Sequence, residues 1–211
     1  MRRQKTPDIV IRRLVLYLRV LESIDTTEND NIISSYELSG RAGVSATQLR
    51  KDLAMFGEFG KQGVGYNVNR LRAEIRKVLN LNRTYRMGLI GAGGLGVALA
   101  RYNNRRYQTE ESYPFQLIAA FDNDPTKIGR EANGVPIYGV TELADRIGEL
   151  GLQIVIISVP AGAAQDVANT CVTAGIKAIL CFAPTKLNLP PDVRVHYSDL
   201  GLELRHLVYY I

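Results

Sequence analysis

The chain has 211 residues, 46% of them hydrophobic and 22% charged, which suits a soluble protein of one large or two small domains, each able to bury a core. No apolar run approaches the roughly 20 residues that cross a bilayer, and MRRQKTPDIVIRR lacks the apolar stretch of a secretory signal, so a cytoplasmic location is expected; two cysteines and two histidines exclude a disulfide framework and a metal cluster. The net charge of +5 is uneven, with 16 Lys+Arg against 9 Asp+Glu in residues 1–86 and 10 against 12 in residues 87–211, so the first part is either a solvated basic surface or the part that meets a polyanion.

Residues 8–23, DIVIRRLVLYLRVLES, carry apolar positions at Ile11, Leu14, Val15, Leu18 and Leu21, the period of an amphipathic helix, with Arg12, Arg13 and Arg19 mainly on the other side. After the polar DTTENDN, a second helix starts at SSYELSGRAG, where Ser34 and Glu37 have capping-box spacing and Gly43 closes the helix. A third follows at once in SATQLRKDLAMFG, with Ser45 and Gln48 as its capping box and Leu49, Leu53 and Phe56 as its buried stripe. Thr47, Gln48, Arg50 and Lys51 are left toward solvent early in that helix. Two short helices across a glycine turn make either a plain helical hairpin or a helix-turn-helix. In the latter, the start of the second helix enters the DNA major groove, where Gln suits adenine and Arg or Lys suit guanine or phosphate.

GEFGKQGVGYNV has four glycines with Phe59 and Tyr66, a composition for a tight hairpin with Lys61 at its tip. A hairpin after such a helix is the wing of a winged helix; a connecting loop is the other reading. Residues 69–80 form one more amphipathic helix on Leu71, Ile75, Val78 and Leu79.

MGLIGAGGLGVALA places Gly91-x-Gly93-x-x-Gly96 between an apolar strand and a helix, the context that a dinucleotide fingerprint requires. The loop Gly91, Ala92, Gly93, Gly94, Leu95 and Gly96 is expected to hold a diphosphate on the helix N-terminus. FQLIAAFDND follows after a polar insertion; Asp122 at its end is either the ribose-binding acid that favours NAD or a strand-end turn residue. GVPIYG, QIVIISVP, KAILCFAP and VRVHYS read as strands, with helices at TELADRIGEL, AAQDVANTCVTAG and the C-terminal LGLELRHLVYYI. The alternation implies a doubly wound parallel sheet, with Ser158-Val159-Pro160 and Phe182-Ala183-Pro184 at the ligand's edge. His196, His206, Cys171 and Cys181 read as surface or packing residues, and no pair of groups stands out as a catalytic acid and base. The expected fold is α/β: a winged-helix DNA-binding domain over 1–85, a Rossmann-like doubly wound parallel sheet over 86–196, and a C-terminal helix over 197–211.

The combination of SATQLRKDLAMFGEFGKQGVGYNV, GLIGAGGLG, AFDNDPTKIG, SVPAGAAQ, AGIKAILCFAP and VHYSDLGLELRHLVYY resembles the Rex redox-sensing transcriptional repressors along nearly the whole chain. The resemblance implies a homodimer that binds a palindromic operator through its winged helices, with Ser45, Thr47, Gln48, Arg50, Lys51, Lys61 and Tyr66 toward the DNA. It implies NADH or NAD⁺ on the Rossmann domain, near Tyr102, Val159 and Pro160, release from DNA when NADH binds, and no catalysis. It makes LGLELRHLVYYI the helix exchanged between subunits, and Arg19, Tyr102 and Asp199 a polar switch cluster. Two other readings remain: a small NAD(P)-dependent oxidoreductase with an N-terminal dimerisation region, and a repressor that takes a coenzyme A ester in the same loop.

Overall fold

The computed structural model describes residues 6–25, 32–60 and 64–211. The chain divides into two units, 1–83 and 84–211.

The first unit is helical. Helix α1 (Asp8–Glu22) buries Val10, Leu14, Tyr17, Leu18 and Leu21. The buried stripe is rotated from the one expected: Val15 is 51% exposed and Tyr17 is fully enclosed, because a tyrosine whose hydroxyl finds a partner packs as well as an aliphatic residue. Strand β1 (Ile32–Ile33) leads into α2 (Ser35–Arg41), and α3 (Ala46–Ala54) follows the turn at Gly43, whose φ is 71°. Ser34 and Ser45 cap the two helices, accepting the N–H of Glu37 at 3.0 Å and of Gln48 at 3.1 Å. Only this half of each expected capping box is seen. The Glu37 side chain accepts from Arg41 and the Gln48 side chain donates to Asp52, each one helical turn on.

Strand β2 (Tyr66–Asn67) pairs antiparallel with β1, and Asn67 caps α4 (Val68–Val78) by accepting the N–H of Arg70. The region expected to form the wing is thus anchored to a strand from before α2. Its two limbs approach closely: a Cβ on Gly60 would fall 2.6 Å from the Gly65 carbonyl oxygen. The four helices enclose one core of Leu14, Leu18, Leu21, Ile33, Leu38, Leu49, Leu53, Val68, Leu71 and Ile75.

The second unit runs β3 (Tyr85–Ile90), α5 (Gly94–Thr109), β4 (Phe115–Asp122), β5 (Glu131–Ala132), β6 (Val135–Gly139), α6 (Leu143–Leu150), β7 (Ile154–Ile157), α7 (Ala161–Thr173), β8 (Ala178–Cys181), β9 (Arg194–Tyr197) and α8 (Leu200–Val208). The sheet order is β5-β6-β4-β3-β7-β8-β9. Every neighbouring pair is parallel except β5 with β6, a short antiparallel edge that the sequence reading missed. Successive residues of the central strands face opposite sides. Leu89, Ala120 and Ile156 pack with Ala100 of α5 on one face; Ile90, Phe121, Val155 and Ile157 pack with Ile147 of α6 and Ala164, Ala168 and Cys171 of α7 on the other. This is the doubly wound sheet expected, and the order reverses between β3 and β7, where such sheets open a crevice beyond the strand ends.

Helix α8 is the exception to burial. Leu200, Leu202, Leu204, Leu207 and Val208 are all more than half exposed, as are Tyr209, Tyr210 and Ile211. No helix is long and apolar enough to cross a membrane among the described residues.

Candidate functional site

The crevice at the strand reversal is built by the loop after β3. Gly91 has φ 96°, and a Cβ there would fall 2.7 Å from the Ser158 carbonyl oxygen. A Cβ on Gly96 would run into the Gly91 carbonyl, so α5 can start this close to β3 only without one. Gly93 and Gly94 differ: a Cβ on either would meet nothing within 4 Å, and both are exposed with Leu95. Gly93 is the N-cap of α5 and supplies no side-chain acceptor. The first N–H groups of α5 therefore meet the opening without an intrahelical partner, which is the arrangement that holds a phosphate or diphosphate.

Two side chains fasten this loop. Ser158, just after β7, donates its hydroxyl to the carbonyls of Gly91 at 2.9 Å and Ile90 at 3.2 Å. Asp122, at the end of β4 and 7% exposed, accepts the N–H of Ala92 at 2.8 Å, the N–H of Asp124 at 2.9 Å and the Lys127 ammonium at 3.2 Å. Burial alone would raise its pKa; these donors outweigh burial and hold it below the ordinary carboxylate value. Asp122 is thus both a loop fastener and a strand-end turn residue, with Oδ1 accepting one of these hydrogen bonds and Oδ2 two. Val159 is half-buried and Pro160 exposed beside the loop.

Tyr102, on α5, is 58% exposed. Its hydroxyl accepts from Arg106 at 3.2 Å, and Arg106 also pairs with Glu110 and lies over the Tyr113 ring. Asp199 is the N-cap of α8, accepting the N–H groups of Gly201 at 2.8 Å and Leu202 at 3.3 Å. The structure does not bond Tyr102 to Asp199. Arg19 is exposed in the last turn of α1. A cavity of about 430 Å³ lies between α8 and the ends of β8 and β9, lined by Ala183, Pro184, Thr185, Lys186, Tyr197, Asp199 and Leu202.

In the first unit, Ser45, the N-cap of α3, is exposed, as are Thr47, Arg50 and Lys51 on the helix, and Gln48 is half-exposed. Arg50 is held by Ser35, to whose hydroxyl it donates at 2.9 Å. Tyr66 is half-buried against the core, and burial raises its pKa above the ordinary phenol value. Lys61 lies outside the described residues.

Sequence reasoning missed the hub behind α3. Asp52 is 1% exposed and accepts four hydrogen bonds. Two come from Arg13, Nε to Oδ2 and Nη2 to Oδ1 at 2.8 Å; the others come from the Tyr17 hydroxyl at 2.7 Å and Gln48 Nε2 at 2.8 Å. Arg13 had been expected on the solvent side of α1. The one hint available was that Asp52 sits beside Leu49 and Leu53 on the helical wheel, too close to the buried stripe for a solvated carboxylate.

His196 is exposed, and Cys171 and Cys181 are buried, free thiols. Burial pushes the Cys171 thiol up to about 12, which makes it a packing residue at neutral pH. No group of potential metal ligands occurs among the described residues.

Residues 82–185 match a family model described as "CoA binding domain", and residues 5–54 match one described as "Putative DNA-binding protein N-terminus". The redox-sensing transcriptional repressor Rex of Roseiflexus sp. is 42% identical over 210 residues, covering 100% of this chain and 93% of that one. Rex of Brevibacillus brevis is 41% identical, covering 99% and 98%. A solved structure of RSP in complex with β-NAD⁺ and operator DNA superposes with a TM-score of 0.89 at 39% identity, covering 99% of this chain and 93% of that chain. RSP in complex with β-NADH gives 0.84 at 37% identity, covering 99% and 95%.

Proposed function

Because the chain belongs to the Rex family of redox-sensing transcriptional repressors, we propose that it binds a palindromic operator in the cytoplasm as a homodimer and is released when NADH replaces NAD⁺. It is a repressor and not an enzyme. The observation that carries the reading is the pairing on one chain of a basic helix-turn-helix with a glycine loop that opens at the strand reversal of a parallel sheet.

The residues fit the parts of such a ligand. The uncapped start of α5, with Gly93 and Gly94 bare beside it, accepts the diphosphate. The ribose hydroxyls are assigned to Asp122, whose Oδ1 accepts only one hydrogen bond here. Val159 and Pro160 lie along the nicotinamide side. NADH and NAD⁺ differ by a hydride and by the positive charge on the nicotinamide ring, so the sensor has to read that ring. A ligand shifts an equilibrium only by its difference in affinity for the two arrangements. A palindrome in turn requires paired reading helices about 34–36 Å apart, or a multiple of that. We assign the response to the ring's charge to the switch residues Asp199, Arg19 and Tyr102. The bonds seen here, Asp199 to the α8 backbone and Tyr102 to Arg106, are those the switch has to exchange. Ser45, Thr47, Gln48, Arg50 and Lys51 are assigned to the groove, and Lys61 and Tyr66 to further DNA contacts.

Electrophoretic mobility of a palindromic promoter fragment, at one fixed salt concentration, tests this. Binding in NAD⁺ that is lost in NADH supports it, and absence of binding at low salt refutes it. The match of residues 82–185 to a CoA binding domain favours one second reading, a coenzyme A ester on the same diphosphate cradle. Release by an acyl-CoA and not by NADH selects it.

A further inference from the structure

We propose that Asp52 is the positioning residue that decides which base α3 reads, by fixing the amide of Gln48 in one orientation. The proposal rests on the operator-binding reading above.

Gln48 is the third residue of α3, at the end of a reading helix that meets base edges. Its side chain does not hang free: Nε2 donates to Asp52 Oδ1 at 2.8 Å. Burial opposes the Asp52 charge, but Arg13, Tyr17 and Gln48 together outweigh it and keep the carboxyl below its ordinary pKa. An ionised carboxylate only accepts hydrogen bonds. The amide nitrogen therefore has to face Asp52, since the reversed amide would set oxygen against oxygen. Arg13 and Tyr17 come from α1, so the carboxylate itself is fixed to a different helix from the one it orients.

With the amide so held, Oε1 is left as an acceptor and the second Nε2 proton as a donor. An acceptor beside a donor is complementary to the N6 amino group and N7 of adenine in the major groove. The neighbouring Arg50 is drawn toward Ser35 on α2, which leaves Gln48 as the amide reader at this end of the helix. Replacing Asp52 by asparagine removes the constraint, because an amide accepts and donates and tolerates Gln48 either way round.

The test is affinity selection from a pool of randomised DNA duplexes, sequenced after binding to the full chain. The wild type is expected to select adenine at one position in each half-site. Gln48→Met flattens that position by about 10-fold and leaves the others. Asp52→Asn flattens the same position although the glutamine is still present. A merely structural role would weaken every position together. If Asp52→Asn fails to fold, Arg13→Met with Asp52→Asn leaves no uncompensated charge and takes its place. The proposal is overturned if Gln48→Met changes no position, if the folded Asp52 variant keeps the wild-type preference, or if it loses all positions alike. Selection of no sequence by the wild type would instead overturn the operator-binding reading itself.

Discussion

The backbone N–H of Ala92 donates to the Asp122 carboxylate at 2.8 Å, which ties the glycine loop after β3 to the end of β4. The bond is buried and its acceptor is ionised, so it holds the loop in the shape that exposes the first N–H groups of α5. Asp122→Ala leaves that buried N–H unpaired. The expected outcome is a loss of about 1–3 kcal/mol of stability in thermal or denaturant melts, with weaker binding of NADH followed by its fluorescence. Asp122→Asn retains an acceptor and is expected to lose less.

Gly96 approaches the Gly91 carbonyl so closely that no side chain fits between them. Gly96→Ala is expected to push α5 off β3 at a cost of about 1–3 kcal/mol. If that cost falls on the coenzyme-bound state, NADH affinity drops by roughly 10-fold or more. The first unit has a core of its own, so operator binding is expected to persist and to become insensitive to NADH. Titrating operator complexes with NADH checks both halves of this outcome.

The hub at Asp52 makes the helical unit sensitive to acid. Asp52 is held below the ordinary aspartate pKa, against the opposing effect of burial. A carboxylate lowered by folding contributes stability that is fully present above its unfolded pKa of about 3.9. That contribution is lost as pH falls through the lower folded value. Asp122 behaves in the same direction. Asp52→Ala goes further, because it strands the Arg13 guanidinium, whose side chain is only 18% exposed. A loss of about 3 kcal/mol or more is expected, which in a unit of this size lowers the melting temperature by roughly 10 °C or more.

Much of this fold was legible in the chain. The strand–glycine loop–helix at residues 85–109 is local, and Gly91 and Gly96 there answer to steric demands that the fingerprint spacing reports. The central strand β7, IVII, read correctly because burial on both faces makes it continuously apolar, whereas β9, RVHY, is mostly exposed and carries no such signal. What stayed hidden was tertiary. Arg13 and Asp52 are 39 residues apart, and two charges on polar-looking helix positions carry no local signal that they will meet. The pairing of Ile32–Ile33 with Tyr66–Asn67 is two residues long and non-local, too short for periodicity to register. The capping boxes were half right because Glu37 and Gln48 each had a better partner one turn ahead.

Asp199 separates two roles. It caps α8, and the proposed switch also uses its charge. Asn caps a helix about as well as Asp, while Ala costs about 1 kcal/mol. Asp199→Asn is therefore expected to keep α8 while blunting NADH-driven release, and Asp199→Ala to weaken both. Circular dichroism follows the helix and operator titration follows the release. A wild-type response from Asp199→Asn would reduce Asp199 to a cap.

The most direct measurement is the operator dissociation constant of the full chain, by fluorescence anisotropy at one ionic strength, with the coenzyme site saturated first by NAD⁺ and then by NADH. Coenzyme-dependent repression predicts operator binding at least about 10-fold weaker with NADH, a difference of about 1.4 kcal/mol. Equal constants for the two forms would contradict it.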